Sequence, residues 1–280
     1  MHLGSPQRIH HLNCATFEPW RGTTLVTHVL LLELEHGLAL VDTGIGTRDV
    51  SDKRRLGRSV HLTGARLSLE ETAAHQLRAL GFAAGDVTDV VATHLDYDHV
   101  GGLSDFPNAR LHTTAAEFAA ASHRTVSGGG LMRYRRAHIN GMSDVSTYGT
   151  NDTAVLGLGA RSLQGLDNVF LLPMPGHTAG HAAVAVLDPQ RGWLVHAGDA
   201  FMHRFTLQPN STEVSNESRR LRVIEKMLAV DVRAVTNSHA ALVGLSGSGV
   251  RVFCSHDDVQ FRTLDAEVQS STAHRGRLAV

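Results

Sequence analysis

Cysteine is scarce: Cys14 and Cys254 are the two present in 280 residues. No disulfide framework organises such a chain, and a reducing compartment suits it. Long apolar runs are missing as well. None approaches the roughly 20 residues that span a bilayer, and the first residues lack the charged start and apolar stretch of an export signal. A cytoplasmic protein with no membrane partner is expected. Charge of one sign is also lacking, since 26 basic residues against 27 acidic ones leave a formal net charge of −1. That balance gives no whole-molecule attraction to nucleic acid, so the expected partner is a small-molecule substrate. No repeat of solenoid period occurs; a homodimer is left open.

Histidine, by contrast, is plentiful at 19 residues. Four metal-capable side chains, His94, Asp96, Asp98 and His99, crowd into the run Thr93-His94-Leu95-Asp96-Tyr97-Asp98-His99-Val100-Gly101-Gly102. Imidazoles and carboxylates are the usual ligands of zinc, iron and manganese, and two adjacent pairs can feed two ions. Gly101 and Gly102 are expected to let the backbone turn sharply into a helix. Three further candidates follow in order: His177 after Pro175-Gly176, Asp199 after Gly198, and His256 between Ser255 and Asp257. Each sits just past an apolar, strand-like segment, where loops are held by a rigid scaffold.

These motifs resemble the metallo-β-lactamase superfamily, and the resemblance covers most of the chain. Leu40-Val41-Asp42-Thr43-Gly44 is similar to the family's early strand and turn, His94 to His99 to its signature, and His177, Asp199 and His256 to its later ligands. The ending Ser-His-Asp and the stretch from Gly101 through Asp105-Phe106-Pro107 look most like the N-acyl homoserine lactonase branch. The resemblance implies an α+β fold, the four-layer αββα sandwich. Residues 1–280 would form one domain, with an insertion around 123–167 on the substrate side. It also implies that His94, Asp96 and His177 hold a first ion, that Asp98, His99 and His256 hold a second, and that Asp199 bridges them.

One residue departs from the family. The signature is usually His-x-His-x-Asp-His, and here Asp96 stands where the second histidine belongs. A carboxylate for an imidazole lowers the net charge by one and hardens the site, so the two divalent ions expected are zinc first, with iron or manganese favoured by Asp96.

Two divalent ions supply a hydroxide near neutral pH and polarise an electrophilic oxygen. The expected activity is therefore hydrolysis of a small ester, lactone or thioester by a metal-bridging hydroxide. Asp98 is the leading catalytic proton shuttle. A phosphodiesterase uses the same metals, and a catalytically silent metal-dependent binding module is the non-enzyme alternative. Asp42 and Asp257 are the carboxylates expected to orient ligating imidazoles, while His181, His196 and His239 read as structural. Within the insertion, Arg133 and Tyr134 of Arg133-Tyr134-Arg135-Arg136, together with Tyr148, are candidates for contacting substrate. Phe201, Met202 and Phe205 read as an apolar wall.

The element pattern predicts strands over 25–33 and 37–41, then a helix capped by Ser68 with Glu71 in a capping box and ended by Gly81. A strand over 87–92, another over 109–112 and a helix over 114–122 begun by Thr114 follow. Strands over 169–172, 182–187 and 192–196 come next, the last two joined by the turn 188–191. Helices over 213–228 and 231–242, a glycine-rich break at 244–249 and a strand over 250–254 complete the reading. Two strand-rich halves with helices outside suit four layers.

Overall fold

The computed structural model describes residues 2–58, 60–123, 133–139, 144–208, 211 and 215–278, the last eight of these by backbone alone. Its strands are β1 (Pro6–Phe17), β2 (Leu25–Leu34), β3 (Gly37–Val41), β4 (Ala65–Arg66), β5 (Val87–Val91), β6 (Arg110–Thr114), β7 (Val145–Tyr148), β8 (Thr153–Val155), β9 (Leu158–Leu163), β10 (Leu166–Pro173), β11 (Ala182–Asp188), β12 (Gly192–His196) and β13 (Arg251–Phe253). One mixed sheet runs β4-β1-β2-β3-β5-β6-β7 and the other β13-β12-β11-β10-β9-β8.

Both faces of each central strand are buried, which is why these segments read as nearly unbroken apolar runs. Alternate residues divide between two cores. Leu30, Leu32, Ala39 and Val41 point between the sheets and meet Leu171, Val184 and Val186 there. Val29, Leu31, Leu38 and Leu40 point outward beneath the helices Ala73–Ala79 and Ala115–His123. Ala183 and Ala185 turn to the opposite outer face, where Leu242 and Leu245 of the helix Val232–Gly247 cover them. Helix, sheet, sheet and helix therefore stack as four layers of an α+β fold.

The topology brings the candidate loops to one end. β3 and β5 are parallel, and so are β12 and β13. β10 and β12 are both antiparallel to β11 and so share a direction. Asp42, the signature run, His177, Asp199 and His256 all follow the C-terminal ends of these strands.

Several expectations are corrected. The helix expected from Ser68 begins at Ala73 with Thr72 as its cap. Ser68 is engaged with Glu70, and Glu71 accepts a hydrogen bond from Thr16 Oγ1 at 2.9 Å, so neither is free to build a capping box. The expected glycine-rich break does not interrupt the helix from Val232, which continues through Gly244 to Gly247. Burial of Leu245 on the second sheet offsets the roughly 1 kcal/mol that a mid-helix glycine costs. The latter part of the stretch 123–167 supplies β7, β8 and β9, and Gly128-Gly129-Gly130 lies outside the described residues. The start of the expected helix 213–228 is also outside them, and the helix is seen over Asn216–Leu228 with Ser215 as cap.

Sequence reading missed β1 and the helix Asp258–Leu278. In β1 the apolar alternation is broken by His10, His11 and Asn13 and by a register shift between Asn13 and Thr16. Among the described residues, no helix is long and apolar enough to cross a membrane.

Candidate metal centre

The seven proposed ligands meet around Asp199. Its Oδ1 lies 3.2 Å from His99 Nε2, and its Oδ2 lies 3.1 Å from His256 Nε2, 3.4 Å from His177 Nε2 and 4.0 Å from His94 Nε2. Two sets flank it: His94, Asp96 and His177 on one side, and Asp98, His99 and His256 on the other. Within each set the ligand atoms are all within 4.8 Å of one another.

The donor set fits divalent cations. His94 Nε2, His99 Nε2, Asp96 Oδ1 and Asp199 Oδ1 are buried without a hydrogen-bond partner among the described residues. Leaving such atoms unpaired costs about 1–3 kcal/mol each, and more for charged groups. A cation is the partner that satisfies lone pairs of both chemical types at once.

The remaining ring nitrogens fix the tautomers. His99 Nδ1 donates to Asp42 Oδ2 at 2.8 Å. Thr93 Oγ1 donates to the same oxygen at 2.8 Å and thereby accepts from His94 Nδ1 at 3.0 Å. One carboxylate, Asp42, thus orients two imidazoles, one directly and one through Thr93, with each Nε2 lone pair facing the centre. Asp42 itself adopts a left-handed conformation (φ 59°), secured by Thr93 N donating to its Oδ1 at 2.8 Å. His256 Nδ1 donates to the Val26 carbonyl at 2.7 Å. The Asp199 amide donates to His181 Nε2 at 3.0 Å, and His181 Nδ1 donates to the Met174 carbonyl at 3.0 Å. His181 is therefore structural in the specific sense of holding Asp199.

Opposed charges settle the protonation of the metal-free cluster. Burial works against ionised Asp96 and Asp199, yet Arg133 beside the first and His256 and His99 beside the second hold both well below the usual carboxylate range. Burial also disfavours the His99 imidazolium, but Asp199 and Asp42 push its pKa well above the ordinary value. Ion binding therefore displaces a proton from His99. Asp42→Asn is expected to weaken ion affinity by about 10- to 100-fold with little loss of fold. Competition against a chelator checks this, and an unchanged affinity would show that Asp42 merely shapes its turn.

Other expected site residues lie elsewhere. Asp257 does not reach an imidazole: its carboxylate accepts from Arg204 and from the amides of Val259 and Gln260, capping the C-terminal helix. Tyr148 bonds His112 Nδ1 at 2.8 Å on the first sheet, and Phe201 is buried in the outer core of the second. Phe205 lies under Arg204 rather than at the centre. Tyr134 is buried, donating to Glu117 Oε1 at 3.0 Å. Gly101 and Gly102 follow the helix Tyr97–Val100 without positive φ. They permit close approach instead, since a Cβ on Gly102 would lie 2.8 Å from the Thr43 carbonyl oxygen.

Glu117 went unnoticed in the sequence. Its Oε1 accepts from the Leu95 amide, and its Oε2 from Thr178 Oγ1 at 2.6 Å and the Gly180 amide at 3.2 Å. It ties the signature loop to the His177 loop. The Thr114-x-x-Glu117 spacing was the available signal, but it reads equally as an ordinary capping box.

A cavity of about 640 Å³ opens over the centre. Asp96, Asp98, His177, Asp199 and His256 reach it, and so does Met202, as expected. Phe17, Trp20 and Leu25 form one apolar side; Leu221, Ile224 and Leu228 of the helix Asn216–Leu228 form another. Arg133 also lines the cavity, its Nη1 donating to Asp96 Oδ2 and lying 2.7 Å from His177 Nε2.

Residues 22–243 match the family described as the metallo-beta-lactamase superfamily. A probable metallo-hydrolase of Mycobacterium tuberculosis is 39% identical over 259 residues, covering 91% of this chain and 81% of that protein. An N-acyl homoserine lactonase of Bacillus thuringiensis is 26% identical over 173 residues, 61% of this chain and 62% of its own. Among solved structures, an N-acyl homoserine lactone hydrolase with N-hexanoyl-L-homoserine at its catalytic metal centre superposes with a TM-score of 0.67. It is 19% identical and covers 92% of this chain and 96% of its own.

Proposed function

This chain belongs to the metallo-β-lactamase superfamily, and on that premise we propose that it is a two-ion hydrolase of small acyl substrates, with lactones foremost and open esters and thioesters after them. One observation carries the reading: six candidate ligand side chains gather around Asp199, a seventh, at the floor of a cavity whose walls are apolar. An acyl chain suits those walls, and the scissile carbonyl would then rest over the floor.

His94, Asp96 and His177 would hold one ion and Asp98, His99 and His256 the other, with Asp199 facing both. The chemistry supplied by two bound divalent ions is activation of water near neutral pH and polarisation of the acyl carbonyl. Asp42, directly for His99 and through Thr93 for His94, keeps two imidazoles aimed at the centre. Asp98 lines the cavity, so its carboxylate is placed to take a proton and return it to the leaving oxygen. The apolar walls exclude bulk water from the acyl chain. Zinc matches the four imidazoles, and Asp96 extends the range to iron and manganese. A phosphodiester finds less support, because among the described residues the one guanidinium in the cavity, Arg133, is already paired with Asp96.

The test is a substrate panel on protein reloaded with zinc or manganese: N-acyl homoserine lactones of short and long chain, a glutathione thioester and bis-p-nitrophenyl phosphate. Lactone turnover rising with acyl length is the expected result. Turnover of the phosphodiester alone would replace this reading, and no turnover with two ions bound would make the protein a binding module.

A further inference from the structure

Arg133 holds an unusual position. Its side chain is 8% exposed, and Nη1 touches Asp96 Oδ2 and lies 2.7 Å from His177 Nε2. Those two atoms are the ones through which Asp96 and His177 face each other at 3.2 Å, and Asp96 Oδ2 also lies 3.3 Å from His94 Nε2. A guanidinium nitrogen thus takes a carboxylate oxygen and an imidazole nitrogen of one ligand set. The other set is different: among the described residues, no arginine or lysine pairs with Asp98, His99 or His256.

The Asp96 substitution explains why a cation belongs here. A carboxylate in place of an imidazole gives this set one negative charge that a buried position leaves poorly solvated, and Arg133 offsets it. The arginine is also tethered from the far side. Its Nη2 donates to the Leu228 carbonyl at the C-terminal end of the helix Asn216–Leu228, where the helix dipole favours a cation. Displacement of Nη1 from Asp96 would leave that second bond in place, so the guanidinium would stay beside the cavity and be able to return.

We propose that Arg133 is a built-in competitor for the His94–Asp96–His177 ion position, so that the two positions fill in order, the Asp98–His99–His256 position first. The inference rests on the two-ion reading above. An ion that takes His177 as a ligand must displace the Arg133 guanidinium from His177 Nε2, where it lies at 2.7 Å, and among the described residues the other set holds no arginine or lysine to displace.

The experiment is calorimetric titration of the metal-free full chain with zinc alone. Wild type is expected to bind two ions in separate steps. In Arg133→Met, which keeps the bulk of the stem without the charge, the second step should tighten by about 10- to 100-fold while the first is unchanged. Arg133→Gln, which keeps two donors without the charge, provides a second measurement should the methionine variant not fold. The metal-free variants should also melt at lower temperature than wild type, because Asp96 loses its cation. A second step that is unchanged or weaker in the variants would overturn the competition. Saturation of wild type and both variants at one ion per chain would instead remove the two-ion reading, and the ordered filling with it.

Discussion

Asp199→Ala is expected to lower hydrolysis by at least about a thousandfold, a barrier increase of about 4 kcal/mol, and to reduce the ion content to one per chain or none. The reason is positional. Among the described residues Asp199 is the one carboxylate facing imidazoles of both sets, with Oδ1 toward His99 and Oδ2 toward His177 and His256. Its removal takes the shared counter-charge from those rings, leaving His99 to Asp42 and His177 to Asp96, and parts the two halves of the centre. Asp199→Asn tests charge separately from shape, since the amide keeps one oxygen and the His181-anchored backbone but presents a donor to one ion position. Both variants should fold, because the Asp199 amide and not its side chain makes the bond to His181. Elemental analysis with initial rates measures the outcome. Two ions per chain with rates within about tenfold of wild type would dismiss Asp199 as the shared ligand.

Glu117→Ala should cost about 3–5 kcal/mol of stability, the largest effect expected from any residue outside the ligands themselves. Four donors converge on its carboxylate: the Leu95 amide, the Tyr134 hydroxyl, the Thr178 hydroxyl and the Gly180 amide. An alanine removes the shared acceptor of these donors in a place with 0% exposure, and each donor left unpaired costs about 1–3 kcal/mol less whatever water recovers. No nearby chain can close the gap easily. Gly180 already approaches so closely that a Cβ there would lie 2.0 Å from the Glu117 amide nitrogen. The melting temperature of the metal-free protein should fall by about 10 °C, metal-free so that ion binding does not mask the change. The signature loop and the His177 loop would also lose their common anchor, so ion affinity should fall with stability. Glu117→Gln should lie between, since its amide oxygen still accepts but its amide nitrogen confronts two donors. A melting temperature for the alanine variant within about 2 °C of wild type would mean that the loops are held by other bonds.

The candidate ligands were legible because each stands just past an apolar strand, and a strand end is a local property of the chain. His94 follows β5, Asp199 follows β12 and His256 follows β13, so a strand reading places them on loops without knowledge of how the strands pair. The four layers were legible for a similar reason: β2, β3 and β11 are buried on both faces and so carry long apolar runs. Phe201 and Met202 show where such reading stops. They are neighbours of similar hydrophobicity after the same aspartate, yet one fills the core under the second sheet and the other lines the cavity. No periodicity distinguishes them, because the side facing the cavity is set by how the loop crosses the sheet end. Asp257 fails likewise. Proximity to His256 suggested an orienting carboxylate, but the start of a helix claimed it, and the imidazole found the Val26 carbonyl from a strand 230 residues away.

The sequence by itself determined the chemical kind of the centre. Seven carboxylate or imidazole candidate ligands could be assigned to strand-end loops, Asp96 marked the departure from the usual pattern, and the balance of charge pointed to a small substrate. Only the tertiary structure decided which atoms share a partner: Asp42 with both His99 and Thr93, Glu117 with two loops, Arg133 with Asp96 and His177. Residue type and strand-end position are fixed by short-range propensity and hydrophobic spacing. Which groups meet within 3 Å depends on the packing of two sheets whose strands are distant in sequence, and no local spacing encodes that distance.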